Sequence, residues 1–263
     1  MSIEKPDIKE NVFAHFILTR FNIDQGASSV LRNDPTWLRH RFSLFSQYCF
    51  PSVVAQSCQN FKWIILFDID TPLFFKNKVA RYFRWQNLIP LFIRGREIMT
   101  EVRKIILKNI EGNTKYLITT RLDNDDAIFR NYIFDIQKNF KCQEFHFLNF
   151  VNGYLLTKHG LYRNQDMSNP YISLIEKLDG FKTVWCGEHN KLSVMGPVKQ
   201  IVCEPAWLTI IHGRNISNKV EGVLQPPAKL RDLYDRFAIK KLKPSIIYSS
   251  FYLLKQISEL LQK

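Results

Sequence analysis

Short apolar runs alternate with segments of helical spacing through the first half of the chain. Residues 12–18, VFAHFIL, form a continuous apolar run that ends in the polar Thr19-Arg20-Phe21-Asn22. Such a run reads as a buried strand opening into a loop. A loop rich in small residues spans 24–35. Over 37–48 the spacing puts Leu38, Phe42, Phe45 and Tyr48 on one side of a helix. Pro51 then opens a second helix over 52–59. Residues 61–67, FKWIILF, make the second strand, which stops at Asp68-Ile69-Asp70-Thr71-Pro72. A helix over 76–85, a strand over 89–93 and an amphipathic helix over 97–109 follow. The fourth strand, 116–120, YLITT, runs directly into Arg121-Leu122-Asp123-Asn124-Asp125-Asp126. Residues 128–139 return to a helix.

This alternation predicts an α/β fold with a largely parallel sheet covered on both faces. In open sheets of that kind ligands bind beyond the carboxyl ends of the strands. Asp68, Asp70 and the 123–126 cluster all fall at such ends. The second half is less regular. Strands over 144–151 and 153–157 read as a hairpin through Asn152-Gly153. A short helix over 170–177, a strand over 182–185 and a helix beginning in 187–192 come next. A strand over 206–211 ends at His212-Gly213-Arg214-Asn215.

Pro226-Pro227 marks a boundary, giving a domain over 1–225 and a tail over 226–263. The tail carries Lys240, Lys241 and Lys243, then Ile246, Ile247, Phe251, Leu253, Leu254, Ile257, Leu260 and Leu261. It reads as a basic amphipathic helical segment. Its apolar face suits either a membrane interface or the domain's own core.

Composition narrows the classes. The 263 residues are 46% hydrophobic and 23% charged, with 21 Phe, so an ordinary globular core can be built. Only 10 Gly are present, which argues against a Gly-rich phosphate loop. The net charge of +13, from 37 basic and 24 acidic residues, favours anionic partners: nucleic acid, anionic lipid or nucleotide phosphates. Five cysteines with no C-x-x-C spacing suggest neither a disulfide framework nor a zinc site. The polar MSIEKPDIKE start lacks the apolar stretch of a signal peptide. The expected place is the cytoplasm, with peripheral attachment to the inner face of the inner membrane.

Four features can carry chemistry. Asp123, Asp125 and Asp126 put three carboxylates within four residues, and they repel unless cations lie among them. Mg²⁺ or Mn²⁺ suits such oxygen donors and can bridge the phosphates of a nucleotide-sugar; a helix cap is the plainer use of the same residues. An EF-hand is excluded, because position 6 from Asp123 is Ile128 and position 12 is Phe134. His212, after an apolar strand, can ligate such an ion, with Arg214 and Asn215 beside it for phosphate. Glu188 opens a helical segment and can take a proton from an acceptor hydroxyl or serve the helix dipole; Asp166 and Asp179 are weaker choices. Asp68 can bond a pyrimidine or ribose, or cap the next segment.

Together these residues look like a GT-A glycosyltransferase. More narrowly, the chain resembles the bacterial family called putative rhamnosyltransferases. The matching stretches include Phe13 to Phe16, Thr19 to Asn22, Trp37 with Arg41, Leu44-Phe45, Cys49 to Ser52, Gln56 and Asn60 to Trp63. Phe67-Asp68, Thr71-Pro72, Thr120 to Asp126 and His212 to Asn215 complete the set, over roughly 12–218. The resemblance implies a GT-A-like, Rossmann-related sheet. It implies Asp123 on the ribose and metal-bound diphosphate, Asp125 and His212 on the metal, and Asp68 on the base. The donor-binding set is then Asp68, Asp123, Arg121 and Arg214, the metal set Asp123, Asp125 and His212, and Glu188 the base. Where the family carries two acids, this chain has Glu188-His189.

The expected activity is a metal-dependent inverting transfer from a dTDP-, UDP- or GDP-sugar to a saccharide or lipid-linked acceptor in surface polysaccharide synthesis. A retaining transferase, a metal-dependent nucleotidyltransferase or nuclease, and a non-enzymatic polyanion- or membrane-binding module are the alternatives. Nucleic acid is the weaker partner, because Lys and Arg are scattered along the chain.

Overall fold

The apolar runs of the first half pair as parallel strands, because only a sheet buried on both faces satisfies both their side chains and their backbone. The structure, a computed structural model, describes residues 12–23, 32–215, 219–240 and 242–261. In chain order it contains β1 Phe13–Arg20, α1 Pro35–Leu44, α2 Phe50–Val54, β2 Lys62–Asp68, α3 Leu73–Ala80, β3 Leu88–Ile93 and α4 Ile98–Lys108. Then come β4 Tyr116–Arg121, β5 Ala127–Ile128, α5 Tyr132–Lys138, β6 Phe145–Phe150, β7 Asn152–Thr157, β8 Gly160–Gln165 and β9 Ser173–Lys177. The chain closes with β10 Val198–Ile201, β11 Trp207–Ile210, β12 Val223–Leu224, α6 Leu230–Phe237 and α7 Ile246–Leu261.

The main sheet has seven strands in the order β10-β6-β9-β4-β1-β2-β3. β1 runs parallel to both β2 and β4, and β2 to β3. β9 lies antiparallel between β4 and β6. Side chains alternate across the sheet. Phe13 and Ile17 face a core shared with Leu38 and Phe42 of α1 and Ile133 and Ile136 of α5. Phe16 and Leu18 face the other core, with Val102 and Ile106 of α4. This is the mixed, mostly parallel, doubly covered sheet expected of the GT-A-like class. A stack of aromatic rings docks α1 over the strand ends, with Phe21 4.4 Å from Phe42 and 4.9 Å from Phe67.

A second sheet, in the order β12-β8-β7-β11-β5, is not foreshadowed by the sequence pattern. It corrects the expected hairpin. β6 belongs to the main sheet, while β7 pairs with β8 and β11 in the second. Asn152-Gly153 is therefore the corner where the chain changes sheets. Asn152 Nδ2 donates to the Cys203 carbonyl there, at 2.5 Å. Gly153 is required by close approach: a Cβ on it would lie 2.0 Å from the Trp207 ring.

Three further expectations change. Residues 173–177 form strand β9 rather than a helix, since the gap between β4 and β6 demands a ladder partner and tertiary pairing overrides local spacing. Residues 182–185 form a loop, not a strand. Both oxygens of the buried Glu176 accept from the amides of Lys182 and Thr183, and Thr183 takes φ 68°. The helix expected over 52–59 ends at Val54. In the tail, α6 places Leu230, Leu233 and Phe237 in the first core, followed by Ile239. Among the described residues no helix is long and apolar enough to cross a membrane.

Two outcomes follow from this packing. Gly153→Ala should lower stability by about 2 kcal/mol, the cost of overpacking a filled core, read as a lower urea midpoint at unchanged slope. His15 is buried in β1, 2.8 Å from Thr120 Oγ1, and burial lowers its pKa to about 3. Between pH ~6.5 and ~3 the unfolded chain therefore binds a proton that the folded one refuses. Stability should fall through that window by up to about 1.4 kcal/mol per pH unit from this group. His15→Gln should flatten that slope in urea titrations; an unchanged slope would refute the assignment.

Candidate functional site

The site forms where β1 and β4, neighbours in the sheet, release their chains at Arg20 and Arg121. Beyond β4 the loop 123–126 is pinned on two sides. Asn124 Nδ2 donates to the carbonyls of Arg20, 3.1 Å, and Phe21, 2.7 Å, which fixes the loop on the end of β1. Asp126 is buried. Its Oδ1 accepts from the Ile210 amide at 2.9 Å, and its Oδ2 accepts from Tyr171 Oη at 2.7 Å. The loop thus clamps the main sheet to β11 of the second, and His212 stands two residues past that clamp.

α1 approaches from the other side. Asp34 caps it, accepting from the Trp37 amide at 2.7 Å, and Pro35 supplies a preset φ at its first turn. Asp68, closing β2, holds the lead-in. Its oxygens accept from Arg32 Nε at 2.9 Å, Asn33 Nδ2 at 3.2 Å and the Asp70 amide at 2.9 Å. Both oxygens of Asp68 are thus engaged by the protein, so here it positions α1.

These two supports bring four side chains together. Arg41 donates to Asp125 with both terminal nitrogens, Nη1 to Oδ2 at 2.7 Å and Nη2 to Oδ1 at 3.1 Å. His212 Nε2 lies 3.0 Å from Asp125 Oδ2. His40 Nε2 lies 3.1 Å from His212 Nδ1. Burial alone would raise the Asp125 pKa; the hydrogen bond from His212 and the charge of Arg41 outweigh it and hold the carboxyl below its ordinary value. Asp126 goes the other way: burial first, then Asp125 and Asp123, push it well up. Arg41 Nε and Asn124 Oδ1 are buried with no protein partner among the described residues.

A second charged group sits beside this one. Arg121 Nη2 reaches Asp123 Oδ2 at 3.4 Å, and Asp123 is half-exposed. The Arg20 guanidinium lies 4.5 Å from the centre of the Trp185 ring. Its pKa is lowered by burial and then by the neighbouring charge of Arg121. Two cations and a carboxylate thus share one rim.

The sequence-predicted residues divide accordingly. Asp125 and His212 meet, while Asp123 turns to Arg121. Arg214 is exposed on the loop after His212. Glu188 is exposed, paired with Lys191 at 2.8 Å, and that partner lowers its pKa. It lies three residues past Trp185. Arg20, His40 and Arg41 carry no functional signature in the sequence pattern. One signal for Arg41 was available: it borders the Leu38-Phe42-Phe45 stripe, where a charge needs a partner.

The described geometry has distant likenesses. TarS 1-349 of S. aureus is 12% identical, with a TM-score of 0.44; the match covers 75% of this chain and 60% of that one. A structure of TarS 1-349 in complex with UDP is 13% identical at the same TM-score, covering 76% and 60%. A putative nucleotide-diphospho-sugar transferase from Desulfovibrio desulfuricans G20 is 9% identical, covers 96% of this chain and 97% of that one, and has a TM-score of 0.40. The chain thus spans about three-fifths of the TarS fragment. No curated protein matches the sequence. A family model does match, over residues 22–223, most of the chain and all of the site residues but Arg20. The chain belongs to the family described as putative rhamnosyl transferase.

Proposed function

We propose that this protein transfers a sugar from a nucleoside-diphosphate donor to a saccharide acceptor, with rhamnose the sugar the family description suggests. One observation carries the reading: Arg20 and Arg121 end adjacent parallel strands around Asp123, beside the Arg41–Asp125–His212 group. Guanidinium groups match phosphate oxygens in geometry and charge, and carboxylates match ribose hydroxyls. Among the described residues the buried Arg41 Nε and Asn124 Oδ1 have no protein partner, which leaves a donor and an acceptor for a ligand.

Oxygen and imidazole donors suit Mg²⁺ or Mn²⁺ in kind. Their arrangement does not fit a resident ion. Arg41 holds both oxygens of Asp125, Asp123 leans on Arg121, His212 Nδ1 is taken up by His40, and among the described residues no three His, Cys, Asp or Glu side chains are placed to hold an ion together. Metal dependence is therefore a separate proposal, which requires Arg41 to release Asp125.

In the inverting form of the reaction the acceptor oxygen bonds to the anomeric carbon as that carbon's bond to the diphosphate breaks. The bonding pair leaves with the nucleoside diphosphate, whose new charge Arg20 and Arg121 stabilise. The acceptor proton passes to the Glu188 carboxylate. The exposure of Glu188 and its pairing with Lys191 favour a retaining route as the second reading. A lipid-linked oligosaccharide in lipopolysaccharide or capsule synthesis is the proposed acceptor, reached from the cytoplasmic side of the inner membrane.

Screening dTDP-, UDP- and GDP-sugars by thermal shift should find a donor-specific stabilisation. Silence with every donor would sink the proposal. Glu188→Gln should lower kcat by about a hundredfold at unchanged donor KM; near-full activity selects the retaining route. Arg41→Ala strands a buried carboxylate and should lose about 3 kcal/mol, regained with MnCl₂, while MnCl₂ alone leaves the wild-type unfolding temperature unchanged. A wild-type shift with MnCl₂ would mean that the ion displaces Arg41.

A further inference from the structure

Among its described side chains, helix α7 meets the domain through Tyr248 and Tyr252, with the Phe251 ring 6.1 Å from that of His159 at the margin of the contact. Tyr248 is buried, and its Oη donates to the Gln225 carbonyl at 2.6 Å. Its ring fills the space a side chain at Gly160 would need, since a Cβ there would lie 2.8 Å from Tyr248 Cε2. Tyr252, one turn on, packs partly buried against the same core. At ~100° per residue these two tyrosines share one side of the helix.

The opposite side is apolar. Ile246, Ile247, Phe251, Leu253 and Leu254 fall within an arc of about 160° facing away from the tyrosines. Their exposures are 86%, 56%, 43%, 60% and 65%. A helix docked on its own domain turns its apolar stripe inward; α7 does the reverse. An apolar patch of this kind on a folded surface marks a contact with something else.

Charge says what that is. Lys240 and Lys243 are exposed immediately before the helix, and no acid occurs between Lys240 and Ser258. Pro244 separates α6 from α7, and Lys243 and Lys240 precede the first residue of α7, Ile246, by three and six positions. An outward apolar face with cations at its edge complements the headgroup layer of an anionic bilayer.

We propose that α7 lies in the plane of an anionic membrane, with Ile246, Ile247, Leu253 and Leu254 among the acyl chains and Lys240 and Lys243 on lipid phosphates. Tyr248 and Tyr252 fasten it to the domain, so the transfer site is held at the surface. The proposal rests on the transferase reading only for its purpose, not for its binding.

Co-sedimentation of the full chain with vesicles tests it. The protein should pellet with phosphatidylglycerol–phosphatidylcholine vesicles, less so as NaCl rises, and far less with phosphatidylcholine alone. The exposed pair Ile247→Asn/Leu254→Asn should weaken partitioning about a hundredfold, roughly tenfold per lost apolar side chain. Lys240→Gln/Lys243→Gln should weaken binding to anionic vesicles about thirtyfold. Both variants should keep the wild-type unfolding temperature and donor-induced shift, which separates this result from failure of the transferase reading. No pelleting of the wild type, or equal binding to neutral vesicles, overturns the proposal. So does a dimer in sedimentation velocity that the Ile247/Leu254 variant abolishes, because the face then belongs to a second copy.

Discussion

The organisation of this protein turns on how the charge of Asp125 is kept in a nearly water-free place. A buried carboxylate costs several kcal/mol unless it is paired and hydrogen-bonded. Here the pairing is assembled from three separate parts of the chain: the loop after β4, the middle of α1, and the loop after β11. None of these contributes alone. If α1 shifted by a fraction of a turn, the bidentate contact from Arg41 would be lost. If β11 slipped, His212 would go with it. The aromatic stack of Phe21, Phe42 and Phe67 and the Asp68 contacts to Arg32 and Asn33 therefore act on the site, although none of them lies in it.

The adjacent carboxylates are tolerable because they are not alike. Asp126 is pushed up by burial, while Asp125 is held down by His212 and Arg41. Asp123 stays half-exposed with Arg121. Within four residues, one acid serves as a clamp between sheets, one is the buried anion, and one is free to face a ligand. That division spreads the charge of the loop over three different environments. It also explains why a D-x-D pattern alone does not establish a metal site: the same residues can be neutralised by guanidinium groups arriving from elsewhere.

The parallel half of the fold is legible in the sequence because buried parallel strands are continuous apolar runs, and 12–18, 61–67 and 116–120 are such runs. The placing of Asp123 and Asp125 at a strand tip follows from the same pattern. The second sheet is not legible. Two of its strands, β5 and β12, are only two residues long, its β5–β11, β7–β11 and β8–β12 pairings join distant segments, and Gly153 reads as a turn residue when its function is to admit the Trp207 ring. Residues 170–177 show helical spacing, yet the slot between β4 and β6 demands a strand. His40 and Arg41 lie more than 80 residues from their partners. No local pattern encodes a contact of that range, and only the unexplained charge beside an apolar stripe hints at one.

The tail shows a different limit of sequence reading. Its composition supports two uses, docking on the core or meeting a membrane, and periodicity alone weighs them equally because it fixes a face without saying where the face points. Two tyrosines set which side of α7 meets the domain. A tyrosine can bury its ring and still satisfy its hydroxyl at a carbonyl, as Tyr248 does at Gln225. That makes the moderately polar side of α7 the docking side and frees the aliphatic side. Had the docking residues been leucines, the outer face would have been the polar one. The orientation thus follows from where the amphipathic side chains are placed, and a basic, apolar surface follows from the orientation.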